Sequence, residues 1–556
     1  MSKYIATVID TTGIQPYIFG SNRLRENIGA SYLVAQATDE WVKWALRQRF
    51  GENVYIPSTQ PEKQIDQGNL DAELVYTGGG NAVILFKDRD CAVKFTKTLS
   101  EKVLREAPGL KIVVAHSQPF EWGNNLGTVI DSLMKELERK KREYNPSVPL
   151  LGLGVTANCL STGLVAVDTS DRYSVPTSYP VSREIVEKLR TVDSKNHAPA
   201  NKQLIKTIFE GEDLNLGDYT VPYDVDDLGR TEGRSSYMAI VHADGNGMGD
   251  RFKEYGKNKR DREYITAMRE LSGAIDKAGI NALRKVAARV IQLAEGKLQE
   301  QFAITERDGK KYLPFRPIVY GGDDVTFVCD GRLGLSLAAL YLKAFEAEKE
   351  NIPDRKDLTA CAGIAIVKTH YPFARAYQLS EALCSNAKKF MRDEKERLRR
   401  KSDFSAIDWH IAASGLLGSI GDIRKREYQV AEGDLTMRPM YLQSNSEWRN
   451  WDDFSEVVHK FNTHPDWAGS RNKVIALREQ LRQGKEKTKQ FLQVYGLDKN
   501  YLPLFPKASA IDFNQCGWID VPKKICGYFD AIEAMEFYMS LKEKTNGDLL
   551  PENVTP

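Results

Sequence analysis

The chain repeats itself, and that repeat limits the folds open to it more than any other feature. An apolar strand over 4–10 ends in Asp10 and runs into Thr11-Thr12-Gly13. A second, over 237–244, ends in Asp244 and runs into Gly245-Asn246-Gly247. The spacing predicts a long helix after each, over 26–50 and 264–299. Each copy continues with two β-rich runs around a glycine turn, a good hairpin signal. The first turn reads Gly78-Gly79-Gly80-Asn81 within 74–86, the second Gly321-Gly322-Asp323-Asp324 within 318–328. Helices follow over 91–106 and 333–348. Strands over 111–115 and 362–367 then lead to Pro119-Phe120 and Pro372-Phe373. The next helix carries Lys135 in one copy and Lys388 in the other, each 16 residues past its proline. Last strands over 151–157 and 405–411 close the units. The order β-α-β-β-α-β-α-β is a ferredoxin-like palm with additions.

The expected fold class is therefore α+β, with two ferredoxin-like palm domains plus helical domains. The first palm spans 1–170 and carries the degenerate turn. A helical linker domain, with a helix near 182–190, fills 171–233. The second palm spans 234–420. A C-terminal helical domain over 421–556 includes helices near 472–495 and 529–541 and carries no candidate chemistry; packing against the palms or a partner is its expected role.

At 556 residues the chain can bury large cores without staples. Its 42% hydrophobic and 28% charged residues argue against wholesale disorder and coiled-coil readings. The formal net charge is +2, so no global basic field attracts nucleic acid. Seven cysteines include no C-x-x-C pair, which argues against a disulfide framework and a sequence-local zinc site; no zinc is expected. No apolar run approaches the ~20 residues that span a bilayer, and the opening MSKYIATVID has no signal-peptide pattern. The expectation is a cytoplasmic protein without membrane contact.

In a palm the first strand and the hairpin are neighbours, so Asp244, Asp323 and Asp324 converge at one sheet edge. Clustered carboxylates repel unless a cation neutralises them. Their hard oxygens suit Mg²⁺ or Mn²⁺, and two such ions would activate an attacking hydroxyl and stabilise a leaving oxygen. Asp244, Gly245, Asp323 and Asp324 are the expected metal-binding residues, and the three acids the catalytic ones. Gly321 and Gly322 leave room for a triphosphate, with Asn246 and Gly247 on the facing turn, and Lys388 is placed to neutralise a departing pyrophosphate. In the first copy Gly80 and Asn81 replace the paired acids, so metal binding is lost. Gly78, Gly79 and Gly80 could still dock a nucleotide. The basic runs over 139–142 and 397–401 read as solvated helix faces. His242, two residues before Asp244, reads as a strand residue beside the site.

These residues resemble a known family. The segments Ala243-Asp-Gly-Asn-Gly-Met-Gly249, Gly321-Gly-Asp-Asp324, Ala362-Gly-Ile-Ala365, Ala387-Lys388-Lys389, 405–410 and Arg438-Pro439 look like the polymerase/cyclase palm of the large subunit of type III CRISPR effector complexes, the cyclic oligoadenylate synthase. That palm is related to the GGDEF diguanylate cyclases. Residues 10–25 and Gly29-Ala-Ser31 resemble the family's first palm. The resemblance implies ATP as substrate, a cyclic 3′–5′ oligoadenylate as product and pyrophosphate release in antiviral defence. It also implies guide RNA and small helical effector-complex subunits as partners through the C-terminal domain. Many members begin with an HD nuclease; this chain starts in palm one, so DNA cleavage is not carried over, and neither is the family's cysteine zinc site. Two other readings stay open: a non-catalytic RNA-guided scaffold, and a template-dependent palm polymerase, which the near-zero net charge fits poorly.

Overall fold

The computed structural model describes residues 3–541 apart from 58–62, 79, 124–125, 144–151, 212–213, 229–235, 297–303, 308, 413–417, 498–500, 509–512 and 521–523. Two six-stranded sheets organise the described chain. In the first, Val54–Tyr55, Ala72–Gly78, Asn81–Phe86, Lys3–Thr12 and Lys111–His116 lie side by side, and Phe120–Glu121 also pairs with Lys3–Thr12. The second runs Phe315–Val319, Asp324–Asp330, Tyr237–Gly245, Ala360–Lys368, Ala406–Ala412, Met440–Tyr441. Both place the first strand of the repeat between its hairpin and its fourth strand, as a ferredoxin-like palm requires.

Helices cover both faces of each sheet, so the central strands are apolar on both sides. Ala239, Val241 and Ala243 join one core, with the helices Asp261–Glu295 and Gly334–Glu346 and the C-terminal region. Met238 and Ile240 join another, with the helix Phe373–Arg397. In palm one, Ile5 and Ile9 face Leu24–Thr38, Glu40–Phe50 and Arg89–Glu106, while Tyr4, Ala6 and Val8 face Leu126–Glu143. The two-residue alternation of a strand accounts for this sorting.

The two palms exchange contacts reciprocally. Helix Leu24–Thr38 of palm one packs on the hairpin of palm two, where the Ser31 hydroxyl donates to Ile318 O at 2.5 Å. Helix Asp261–Glu295 of palm two packs on the hairpin of palm one, where Arg269 donates to Leu74 O at 2.8 Å and Val75 O at 3.0 Å. Fully buried Glu73 lies between Arg262 at 2.6 Å and Arg269 at 2.8 Å. The C-terminal region packs on palm two through Trp409 against Phe454, with ring centroids 4.9 Å apart. The buried Arg438–Asp530 ion pair, at 3.0 Å, lies in the same region.

Four of the expected helices and strands differ in the structure. The helix expected over 26–50 is broken at Asp39, whose carboxylate accepts from Thr77 and pairs with Lys43. The helix over 472–495 divides at Gly484 into Arg471–Arg482 and Lys485–Val494. The helix over 529–541 shortens to Phe529–Ala534 with one 3₁₀ turn, Met535–Phe537. The strand expected over 151–157 does not form within its described residues: 152–157 are turn and coil, and Leu151 lies outside them. Leu153 and Val155 are exposed there, so alternation without a buried face to pack against was not enough. Among the described residues no helix is long and apolar enough to cross a membrane.

Candidate active site between the two palms

The antiparallel register sets Asp244 directly opposite Asp324 across the central strand pair. Both lie on the face that carries His242 and Thr326, toward the helix Phe373–Arg397. That helix lies almost on the strand Ala360–Lys368, because a Cβ on Gly363 would stand 2.0 Å from Ser380 O and 2.3 Å from Cys384 N. One turn beyond Cys384, Lys388 reaches Asp244 Oδ2 at 2.6 Å and donates to Gly245 O at 2.9 Å.

Asp323 stands on the turn itself. Its backbone oxygen accepts from Gly245 N at 3.1 Å, and a Cβ on Gly245 would lie 2.7 Å from the Asp323 Cβ. The turn is braced from behind: Asp276 Oδ1 accepts from Gly322 N at 2.9 Å, and Gly279 lets the helix Asp261–Glu295 close on Gly322 O.

The electrostatics record the crowding. Burial, then the charge of Asp244, holds the Asp323 carboxyl above its ordinary range. Burial, then Asp244 and Asp323, pushes Asp324 up to about 8, with Lys388 opposing. The Asp324 side chain is 40% exposed, but its Oδ1 is enclosed and has no hydrogen-bond partner. The nearest cation candidate is His242 Nδ1, at 3.4 Å. Burial holds that ring down to about 4, so it is neutral at physiological pH. Among the described residues, no three acids, histidines or cysteines are gathered into a ready-made ion cage. The donor set nonetheless fits a divalent cation. It is all oxygen, its charges repel, and one enclosed carboxylate oxygen is unsatisfied.

A pH prediction arises here. The native, metal-free protein retains a proton on Asp324 that the unfolded chain sheds near pH 4. This group therefore lowers stability as pH rises from about 4 to about 8. A cation held by Asp324 would have to displace that proton, so the expected Mn²⁺ affinity rises roughly tenfold per pH unit below about 8 and levels off above it. Titration of Mn²⁺ by electron paramagnetic resonance across that range checks this, and a flat profile would refute it.

Palm one reproduces the frame without the paired hairpin acids. Asp10 pairs in register with Asn81, as Asp244 does with Asp324. Gly13 and Gly247, each three residues past the strand acid, take the same left-handed conformation, φ +67° and +64°. The lysine that meets Asp10, at 2.7 Å, is Lys141 and not Lys135. The helix Leu126–Glu143 begins later after its proline than Phe373–Arg397 does, so counting from the proline picked the wrong residue; Lys141 and Lys388 hold equivalent helical positions.

Lys135 instead lines a cavity of about 430 Å³ between the palms. Asp323, Gly322, Gly78 and Asn81 open onto it from the two turns. Tyr76, Met248, Phe252 and Met268 supply apolar walls, and Ser272, Asp276, Lys135 and Lys253 polar ones. Other expected nucleotide contacts sit elsewhere. The Asn246 amide nitrogen is tied to Thr359 Oγ1 at 3.0 Å and Phe404 O at 3.2 Å, and Gly247 caps the helix Met248–Gly256 near Asp403. Gly321 lies against Asp276, and the Gly80 carbonyl accepts from Thr11; Gly79 lies outside the described residues. Ser272, Asp276 and Lys141 were missed in sequence. The only signal for the first two was a polar i, i+4 pair among buried Leu271 and Ile275.

Residues 237–398 match the model of the second palm domain of Cas10/Cmr2. In fold the chain is similar to one in the crystal structure of the Csm1-Csm4 cassette in complex with cA4, at 14% identity and a TM-score of 0.51. That match covers 96% of this chain and 70% of that one. The same cassette in complex with pppApApA matches at 14% identity and a TM-score of 0.50, covering 96% and 69%. Csm1 in T.onnurineus matches at 14% identity and 0.51, covering 97% and 70%. No curated protein matches the chain. The likeness to the large subunit of type III CRISPR complexes that the motifs implied is thus found twice, in the sequence of the second palm and in the fold of nearly the whole chain.

Proposed function

We propose that this chain is a metal-dependent nucleotidyltransferase that converts ATP into cyclic 3′–5′ oligoadenylates as the large subunit of a type III CRISPR-like antiviral effector. One observation carries the reading: Asp244 and Asp324 face each other in register, with Asp323 beside them on a cavity shared with a sister palm. Asp244, Asp323, Asp324 and the Gly245 carbonyl would hold two Mg²⁺ or Mn²⁺ ions, which when bound supply activation of a hydroxyl and stabilisation of a leaving oxygen.

The chain's own residues do the rest. The cavity is of nucleotide-binding size. Its apolar walls suit a base, and Lys135 and Lys253 suit phosphates. The turns of both palms open onto it, so a donor and an acceptor nucleotide can meet there. The 3′-hydroxyl of one attacks the α-phosphate of the other in line; the new P–O bond replaces the bond to pyrophosphate, which leaves. Lys388 rests on Asp244 in the free protein and neutralises the departing pyrophosphate when that acid is otherwise engaged. Guide RNA and small helical subunits would dock through the C-terminal region, in the cytoplasm.

The test is product analysis by mass spectrometry after incubation with mixed nucleoside triphosphates and Mn²⁺, with and without RNA. Adenylate rings support the reading; no nucleotide turnover at any Mn²⁺ concentration defeats it. Lys388→Met is expected to lower turnover on the order of 10²-fold, with the helix intact by circular dichroism. Unchanged turnover would remove Lys388 from the mechanism.

One observation favours a second reading, a non-catalytic scaffold. The Lys388–Asp244 pair repeats the Lys141–Asp10 pair of the palm that lacks the paired acids. RNA-dependent copurification with small helical subunits, without ATP turnover, would select it.

A further inference from the structure

Arg316 is wholly buried and has no acidic partner among the described residues. Its Nη1 donates to Pro222 O at 2.8 Å and to Asn201 Oδ1 at 3.2 Å, while its Nε has no hydrogen-bond partner. The guanidinium lies 4.9 Å from the centre of the Tyr223 ring, whose other neighbour is Arg25 at 5.1 Å. The nearby carboxylate, Asp224, is already committed to Arg25 at 2.9 Å. Burial pushes the guanidinium down to about 10, so it stays charged at neutral pH. A lone buried cation is costly unless an anion or a full set of acceptors meets it.

Arg316 borders a cavity of about 40 Å³ where the first palm's helix Leu24–Thr38, the linker helix Pro199–Leu204 and the second palm's strand Phe315–Val319 meet. The polar side chains around it are donors: the Tyr32 and Tyr320 phenols, and Gln203, whose Oε1 is occupied by Gln36 at 3.1 Å and leaves its amide N–H free to turn inward. The Ser31 hydroxyl is spent on Ile318 O. No carboxylate lines the space. A cation, two phenols and an amide without an acid make a site for an anion, and the volume admits one of halide size.

We infer that a single halide ion, chloride in the cell, binds between Arg316, Tyr32, Tyr320 and Gln203 and pins the strand Phe315–Val319, which leads into the Gly321-Gly-Asp-Asp turn, to the first palm. The site does not depend on the proposed catalysis. Water alone would satisfy the hydrogen bonds but would leave the charge uncompensated.

The whole chain is melted in sodium chloride, sodium bromide and sodium gluconate at matched ionic strength. The expected result is a saturable rise in Tm of a few degrees in either halide and not in gluconate. Tyr320→Phe keeps the apolar ring and should weaken the halide midpoint several-fold, and Arg316→Met should abolish the dependence. If Arg316→Met does not fold, Tyr320→Phe alone decides. Crystals grown in bromide should show one anomalous peak beside Arg316. Equal melting in halide and gluconate, an unshifted midpoint in Tyr320→Phe, or no bromide peak overturns the inference.

Discussion

Asp323→Asn together with Asp324→Asn is expected to cut adenylate synthesis from labelled ATP on the order of 10³-fold or more. The same change should leave the metal-free protein as stable or more stable. Burial and the charge of Asp244 hold both carboxyls above their ordinary range, and Asp323 adds to the rise at Asp324, so neutral amides relieve repulsion and keep the shape. This opposition separates a functional acid cluster from a structural one. A structural cluster would lose stability on substitution; a functional one loses chemistry alone. The measurements are product yield by chromatography and urea unfolding with and without Mn²⁺. Synthesis at the wild-type rate would end the enzyme reading. A large drop in stability without metal would show the acids bracing the fold instead.

Glu73→Gln should have the largest effect on stability, a loss of roughly 3–5 kcal/mol. Glu73 is fully buried in palm one and faces Arg262 and Arg269 from the long helix of palm two. Its Oε2 also accepts from Ile65 N at 2.9 Å. The amide removes the charge that meets both guanidinium groups, while Asp66 still meets Arg262. The pair holds the two palms around the cavity that Asp323 faces, so synthesis should fall with stability. Denaturant unfolding of both proteins checks this. A difference within about 0.5 kcal/mol, the range of an ordinary surface change, would show that the palms are docked by apolar packing alone.

Much of this was legible in the sequence, for local reasons. Strand alternation puts His242 and Asp244 on one face of their strand, whatever sheet contains it. The glycine turns mark where the backbone must take left-handed angles, as Gly321 and Gly322 do at φ +119° and +69°. The loss of the acids at Gly80 and Asn81 needs no structure to read. Lys141 was hidden because the start of its helix depends on how the chain leaves the Phe120–Glu121 strand, which no local pattern dictates. Asp276 and Ser272 were hidden because a helix of 35 residues shows different faces to different partners along its length. The strand over 151–157 was overread because alternation describes a half-buried surface only when something covers it.

By itself the sequence determined the duplicated palm, the trio of acids in the later copy and the loss of two of them in the earlier one, since these follow from periodicity and residue identity. Tertiary structure alone decided that each palm's long helix lies on the other's hairpin, which lysine meets which acid, and that a cavity opens between the two turns. Those outcomes depend on packing between segments hundreds of residues apart, and burial there, not local preference, sets both the geometry and the charge state of the acids.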